Sequence, residues 1–322
     1  MPASVTHAFF ANDVYDILTE KIRNTLILDK CKMYSQSIDA CKFYNLLSLV
    51  PGKKIRDFDK YFHNNKSQDF FINFLTYMKD NDINDSDTYS FLFGFISHYV
   101  LDSTIHPYVI YKTGEFDKNN KESFKYNNLH HFMESFIDND MISRRYNTNP
   151  YKFDYSGFIF TDKDISKELD KTIDYAFYNT FGINNMSKIY TKSLKQMDVF
   201  IRLFRKDSYG IKKFFYKLID TFTFKNTFRL DAISYHVPLE DKHNYLNKDN
   251  LLWRNPTTYN MTSNESFVDL YLKAVKKAKV IVCACYDYLN GKDIDLKQIF
   301  DNTSYVTGIN CDDKKELKYF EF

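Results

Sequence analysis

Apolar residues recur along this chain with the three-to-four-residue spacing of amphipathic α-helices. The spacing predicts about eight helices joined by short polar loops. They span residues 9–28, 70–78, 90–105, 129–142, 165–178, 189–204, 209–222 and 267–289. Thr262 followed by Glu265 predicts a capping box before the last of them. The main strand signal is a weak alternation over residues 151–161, and no Asn-Gly or Asp-Gly turn follows it.

The composition agrees with an all-α fold. Only 8 glycines and 6 prolines occur in 322 residues, while 44% of the residues are apolar. This is typical of long helices around a large core rather than of a turn-rich β protein. An irregular stretch at 147–164 is the best internal boundary. We therefore expect a helical half at 1–146 and a second helical half at 147–322 that packs against it, both within one structural domain.

Charge and cysteines exclude some classes of protein. The formal net charge is +2, with basic and acidic residues interspersed, so a stable nucleic-acid partner is not expected. The five cysteines form no C-x-x-C pair and are expected to be reduced.

No secretory leader is recognisable, which predicts a cytoplasmic protein, or a secreted one if a leader was removed. No apolar stretch is long enough to cross a bilayer.

The residues that carry chemistry lie in the first half. His98, Asp102 and His106 follow one another at four-residue intervals in an otherwise apolar segment. On an α-helix this spacing places them on one stripe, because each step advances by nearly a full turn. Burying three ionisable groups without partners would cost several kcal/mol, on the order of 2–7 for each polar group. A divalent cation would satisfy two imidazoles and a carboxylate together.

A second pair is expected to bind metal from the next helix. His130 and Glu134 are one helical turn apart and can hold one ion from the same side. Taken alone, this pair is as compatible with an internal hydrogen-bond network as with a metal site. His131 points elsewhere and is either a hydrogen-bond donor behind the ligands or an ordinary histidine.

The order of these residues resembles that of the bacterial zinc-dependent phospholipases C, whose fold is shared with single-strand-specific zinc nucleases. The family has a His-x-x-x-Asp helix that continues to another His, then a His-x-x-x-Glu helix, with an early His and an Asp-then-His pair upstream. Here the upstream residues that resemble the family's are His7, Asp39 and His63. The resemblance is dense over residues 1–140 and thin beyond, and it implies a large multi-helix domain of this type.

The resemblance also implies how the ligands are shared among two or three Zn²⁺ ions. It assigns four residues to one ion, three to a second, and His7 with a bridging Asp102 to a third. The first set is Asp39, His63, His98 and Asp102, and the second is His106, His130 and Glu134. The chain departs from the secreted phospholipases in the shorter gap between Asp102 and His106. It also has Ala40 where choline-selective relatives have an aromatic residue.

The expected function is hydrolysis of a phosphodiester by metal-activated water. Zinc suits a mixed His and carboxylate ligand set and activates water at neutral pH. Asp39 is the candidate catalytic residue, because its carboxylate could orient or deprotonate the attacking water. A phospholipid is the expected substrate, with peripheral membrane contact as an associated partner. Two alternatives stay open: a nuclease or nucleotidase of the same fold, and a non-catalytic lipid-binding or structural protein that metal ions stabilise.

Overall fold

The computed structural model describes residues 4–117, 119–222, 230–234, 241 and 243–321. Thirteen α-helices form this part of the chain, and the all-α prediction is confirmed. The helices are α1 Ser4–Asp16, α2 Glu20–Arg23, α3 Leu28–Tyr34, α4 Lys53–Phe62, α5 Ser67–Asp80, α6 Ser86–Thr113, α7 Leu129–Tyr146, α8 Tyr155–Ile159, α9 Lys167–Phe181, α10 Met186–Phe200, α11 Ile211–Phe222, α12 Phe267–Leu289 and α13 Leu296–Ile299. Short 3₁₀ segments lie at Ser37–Phe43, Lys121–Tyr126, Pro150–Lys152 and Leu230–Ile233, and one π-helical turn at Ile201–Arg205 follows α10.

Helix α6 is the central element of the fold. It is 28 residues long and is capped at its N-terminus by Asp85, whose carboxylate accepts a hydrogen bond from the Thr88 amide at 2.9 Å. It packs against α1, α3 and α12, so most of its residues are buried. Gly94 permits the close approach of α3, because a β-carbon there would lie 2.6 Å from the Tyr34 carbonyl carbon. The helix that carries three candidate ligands is therefore held on several sides.

A continuous apolar core joins residues from both predicted halves. Phe62 from α4 stacks on Phe177 from α9 with ring centroids 5.9 Å apart, and Phe71 from α5 stacks on Phe300 at 4.4 Å. Burial of such large aromatic side chains contributes roughly 1.5–3 kcal/mol each. The division at residue 146 stays a prediction. Among the described residues, no helix is long and apolar enough to span a membrane.

The helix expected over residues 9–28 is wrong in its bounds. The chain forms α1, α2 and the start of α3 instead, with a turn in which the Leu18 amide donates to the Tyr15 carbonyl at 3.1 Å. Leu18 and Ile22 are both buried beyond the break. The apolar spacing continues through this turn, and spacing alone therefore could not reveal where the helix ends.

The weak strand signal at 151–161 corresponds to no strand, and the capping box predicted at Thr262 is wrong. Residues 155–159 form helix α8, which begins at Asp154, while the strands are β1 Trp253–Asn255 and β2 Thr258–Ser263, an antiparallel pair. Thr262 lies in β2, and the capping box is formed by Ser266 and Asp269 one turn later. The strands are short and β2 is largely exposed, so they leave no alternating apolar pattern.

Candidate metal centre

Five elements bring all eight candidate ligands together. Helix α1 carries His7, and α6 carries the three residues of the predicted stripe. Asp39 lies in the 3₁₀ segment Ser37–Phe43, His63 directly follows α4, and α7 carries the last pair. Their side chains form three groups, and within each group the nitrogen and oxygen ligand atoms lie within 4.8 Å of one another; the first two groups share His98. These groups are His7, His98 and Asp102; Asp39, His63 and His98; and His106, His130 and Glu134.

Asp102 is at the centre of the cluster. Its Oδ1 lies 3.2 Å from His7 Nε2, and its Oδ2 lies 3.0 Å from His98 Nε2. Oδ2 is also 3.5 Å from His106 Nδ1 and 3.8 Å from His63 Nε2. Burial alone would raise the pKa of Asp102, but the neighbouring histidines outweigh it and hold that pKa well below its usual range. The two oxygens therefore face different imidazoles, as a bridging carboxylate requires.

Three of the histidines are oriented by main-chain carbonyl groups. Nδ1 of His63 lies 2.9 Å from the Asp59 carbonyl oxygen, Nδ1 of His98 2.9 Å from that of Ser35, and Nδ1 of His106 3.0 Å from that of Tyr305. A carbonyl oxygen can only accept, so Nδ1 carries the proton in each ring and Nε2 is left as the ligand atom. His98 therefore offers one nitrogen to two of the three groups and can bind only one ion.

Several buried atoms of the cluster lack hydrogen-bond partners, and this is the main observation in favour of a metal. His7, 1% exposed, makes no well-aligned hydrogen bond through either ring nitrogen, although its Nε2 lies 3.2 Å from Asp102 Oδ1. Asp39 Oδ2 and Asp102 Oδ2 also accept no well-aligned hydrogen bond, although Asp102 Oδ2 lies 3.0 Å from His98 Nε2. Buried polar groups are almost always satisfied, because an unmade hydrogen bond costs roughly 1–3 kcal/mol. Imidazole and carboxylate donors without thiolate fit Zn²⁺. The residues present therefore fit the metal that the sequence predicts.

Burial and charge divide the histidines into two classes. Burial lowers the pKa of His7, and it lowers that of His130 to about 4. For His98 and His106 burial also lowers the pKa, but Asp102 outweighs it and the net shift is upward. At neutral pH the imidazoles of His7 and His130 are therefore neutral, whereas those of His98 and His106 stay protonated to a higher pH.

This difference predicts that zinc binding to metal-stripped protein releases protons. The raised pKa of His98 and of His106 increases the share of each imidazole that carries a second proton, on Nε2, and that proton must leave before the ring binds an ion, so zinc affinity should rise with pH and fall on acidification. Isothermal titration calorimetry in buffers of different ionisation enthalpy measures the number released. His98→Ala should reduce proton release, whereas His130→Ala, which removes an already neutral imidazole, should not. Proton uptake on binding would contradict these protonation states.

A cleft of about 900 Å³ opens beside the cluster. Its lining includes Asp39, His63, His106 and His130, so both the first and the second predicted sites face it. His7, Asp102 and Glu134 line a different and much smaller cavity of about 30 Å³. A substrate would therefore approach from the side of Asp39 and His63.

Lys42 is a site residue that the sequence reasoning missed. Its ammonium lies 2.8 Å from Asp39 Oδ1 and 3.2 Å from Asp59 Oδ2, and it lines the cleft. Burial alone would raise the pKa of Asp39, but Lys42 and then His63 outweigh this and hold it well below its usual range. Lys42 follows Asp39 by three residues, and a basic residue so close to a candidate ligand was the signal available.

The segment 301–311 was also missed, and it closes over the ligands from the second half of the chain. The Tyr305 amide donates to the His63 carbonyl at 2.9 Å, and its carbonyl accepts from His106 Nδ1 at 3.0 Å. The Tyr99 hydroxyl donates to the Asp301 carbonyl at 2.7 Å and fixes the start of the segment on α6. These contacts use main-chain atoms, so no residue type in the sequence signals them.

The comparison with protein families agrees with this geometry. The family model described as zinc-dependent phospholipase C matches residues 6–198, which is more than half of the chain and includes all eight candidate ligands. No curated protein and no solved structure matches significantly. The chain belongs to the zinc-dependent phospholipase C family.

Proposed function

We propose that this protein is a zinc-dependent phospholipase C-like hydrolase that cleaves the phosphodiester of a phospholipid and releases a phosphorylated headgroup. The observation that carries the proposal is the clustering of three groups of buried or partly buried His and carboxylate ligands, two of which share His98, at the wall of a wide cleft. Membership of a zinc-dependent hydrolase family supports the same chemistry. Clustered metal sites at a cleft are typical of phosphoryl-group hydrolysis.

The proposed ligand assignment follows the groups in the structure. His106, His130 and Glu134 would hold one ion, and Asp39 with His63 would hold another. His7 and Asp102 would hold a third, with His98 completing one of the last two sites. Bound zinc supplies activation of water near neutral pH and stabilisation of charge on phosphate oxygens. Two or three ions per chain are proposed.

The chain's own residues supply positioning and electrostatics. Asp39 is the proposed catalytic carboxylate, and its Oδ1 is held by Lys42 while Oδ2 has no hydrogen-bond partner. Its low pKa favours holding the attacking water by a hydrogen bond over removing a proton outright. Lys42, Lys60 and Lys315 line the cleft and can pair with phosphate oxygens, but the lining also holds five carboxylates, so most of the attraction for an anionic phosphate would come from bound zinc.

The cleft is expected to prefer an ammonium headgroup other than choline. Among the described residues its lining has no Phe, Tyr or Trp, so it lacks the aromatic faces that bind a quaternary ammonium. Glu115 and Asp117 are in the lining and can accept hydrogen bonds from a primary amine. The lack of aromatic stacking partners also disfavours the alternative of a single-strand nuclease.

The proposal predicts that zinc-loaded protein contains two or three zinc equivalents and hydrolyses bis-p-nitrophenyl phosphate. Activity should be lost on chelation and return with zinc, because the ions supply several kcal/mol of transition-state stabilisation, on the order of 4. Phosphatidylethanolamine should be cleaved faster than phosphatidylcholine, and both faster than single-stranded DNA. Elemental analysis and product assays measure these results.

A matched pair of variants tests whether the activity depends on the Asp39 carboxylate. Asp39→Asn should lower activity by about a hundredfold or more, because the catalytic carboxylate is lost. Asp57→Asn, an exposed aspartate on α4, should leave activity unchanged. Zinc-loaded protein that turns over no phosphoester would favour the non-catalytic alternative, and faster cleavage of DNA than of lipid would favour the nuclease.

A further inference from the structure

An exposed apolar loop joins two segments that carry candidate ligands. Residues 46–50 read Leu-Leu-Ser-Leu-Val, and their apolar side chains point into solvent: Leu49 is 105% exposed and Leu47 61%. Asp39 lies shortly before this loop, and α4, which ends beside His63, begins shortly after it. A run of exposed leucines is uncommon on a soluble surface, since removing each from water is favourable by roughly 1.5–3 kcal/mol.

Helix α11 has its apolar side facing outward. Six large apolar residues at helical spacing are exposed by 46% or more: Ile211, Phe214, Phe215, Leu218, Ile219 and Phe222. The opposite side holds the helix to the protein through polar groups. The Tyr216 hydroxyl donates to the Phe204 carbonyl at 3.1 Å, and Lys212 Nζ donates to the Leu203 carbonyl at 2.6 Å. An exposed apolar stripe of this kind is typical of a helix that lies in a membrane interface.

The end of α10 connects the loop to α11. The Asn45 amide donates to Gln196 Oε1 at 2.8 Å and anchors the loop on α10. One turn further on, Val199 is 49% exposed, and Leu203 in the π-helical turn is 54% exposed. We use the term docking face for these apolar elements, which the contacts through α10 link to one another: the loop 46–50, Val199, Leu203 and the stripe of α11.

Basic residues border the docking face. Lys53 and Lys54 follow the loop after Pro51 and Gly52, and Lys206 and Lys217 flank the stripe of α11; all four lysines are exposed. Apolar groups bordered by lysines complement a bilayer that contains anionic lipids, where side chains enter the acyl region and ammonium groups remain among the headgroups. A second protein chain would not require this basic border.

We propose that the protein docks on the surface of an anionic phospholipid bilayer through the docking face. The proposal rests on the proposed function and deepens it, because the loop 46–50 is flanked on both sides by residues of the catalytic cleft. Insertion of the loop would hold the cleft close to the headgroups. Substrate on a membrane would then be used far better than the same phosphodiester free in solution.

Vesicle sedimentation tests the proposal with full-length, zinc-loaded protein. Wild-type protein should bind phosphatidylcholine vesicles that contain phosphatidylserine, more weakly in high salt. Leu47→Ser/Leu49→Ser and Phe214→Ser/Leu218→Ser should each reduce binding by at least about tenfold, because inserted apolar area is lost. Lys53→Gln/Lys54→Gln should reduce binding about fivefold for each lysine. The matched control is Leu272→Ser/Val280→Ser on α12, where both residues are at least 53% exposed.

The outcomes separate docking from catalysis. Hydrolysis of soluble bis-p-nitrophenyl phosphate should be unchanged in the docking-face variants, while hydrolysis of vesicle lipid falls in parallel with binding. Wild-type protein that binds neither neutral nor anionic vesicles would overturn the docking proposal, even if it cleaves the soluble substrate. Equal loss in the control variant would also overturn it. Self-association that is abolished by the same substitutions, without vesicle binding, would show that the face joins two copies instead.

Discussion

Asp102→Asn is expected to remove more than one zinc ion per chain and nearly all phosphoesterase activity. The two carboxylate oxygens face His7 on one side and His98 on the other, within 3.2 Å in both cases. Asparagine keeps the size but loses the negative charge and one strong oxygen ligand, so a bridged cluster cannot form. A loss of about a thousandfold or more in kcat/KM is expected. Elemental analysis of purified variants and turnover of a soluble phosphodiester measure both effects.

His106→Ala is the comparison variant for this prediction, because it tests whether Asp102 bridges ions or serves only one. His106 belongs to one group of ligands, so its loss should cost about one ion and leave the neighbouring site loaded. Helix α6 should survive both changes, because Phe91 and Phe95 are fully buried and hold it in the core. Circular dichroism checks this. If Asp102→Asn kept its zinc and activity while His106→Ala lost everything, Asp102 would be a partner of the histidines rather than a bridge.

Gly308→Ala should also lower activity strongly, although this glycine touches no candidate ligand. Its φ of +66° favours glycine, and a β-carbon there would lie 2.8 Å from the Ser103 carbonyl oxygen on α6. The segment 301–311 would have to move, and with it the Tyr305 carbonyl that orients His106. Because a shift of about 1 Å in a catalytic group can cost roughly a hundredfold, we expect a fall of that order in kcat.

Gly291→Ala provides a control for the backbone strain. Gly291 also has a positive φ, of +87°, but a β-carbon there would meet nothing within 4 Å. Both variants should lose about 1 kcal/mol of stability to strain in thermal unfolding. Only Gly308→Ala should lose activity and bind its zinc more weakly. Equal activity in the two variants would mean that the segment 301–311 does not position the site.

Most of the candidate ligands could be predicted from the sequence, because residue spacing along a helix shows which side chains share one face. Three polar residues at four-residue intervals in an apolar segment identified the stripe of α6, and the fold brings its members to the expected neighbours. His7, Asp39 and His63 lie far apart in sequence, and only the resemblance to a family indicated them. Their assignment to individual ions stays a prediction, which zinc analysis of single variants can test.

The parts that sequence reasoning missed share a physical cause. Main-chain carbonyls at Ser35 and Tyr305 orient two histidines, and a carbonyl is present at every residue, so composition cannot single these out. Lys42 reads as an ordinary surface lysine until the fold brings Asp59 beside it. The apolar spacing over residues 209–222 correctly predicted helix α11, but periodicity does not say whether the apolar side of a helix faces the core or the solvent. That orientation depends on how the helix packs in the folded protein.

The anchor at Tyr305 also has a consequence for the order of events during synthesis. All eight candidate ligands lie between His7 and Glu134, so the ribosome makes them early. His106 nevertheless takes its orientation from a carbonyl 199 residues later in the chain. A nascent chain can hold the ligand helices but not the finished geometry until residue 305 has emerged. A metal centre built in this way is incompletely assembled during translation, and its full geometry would follow only after the late segment has folded onto α6.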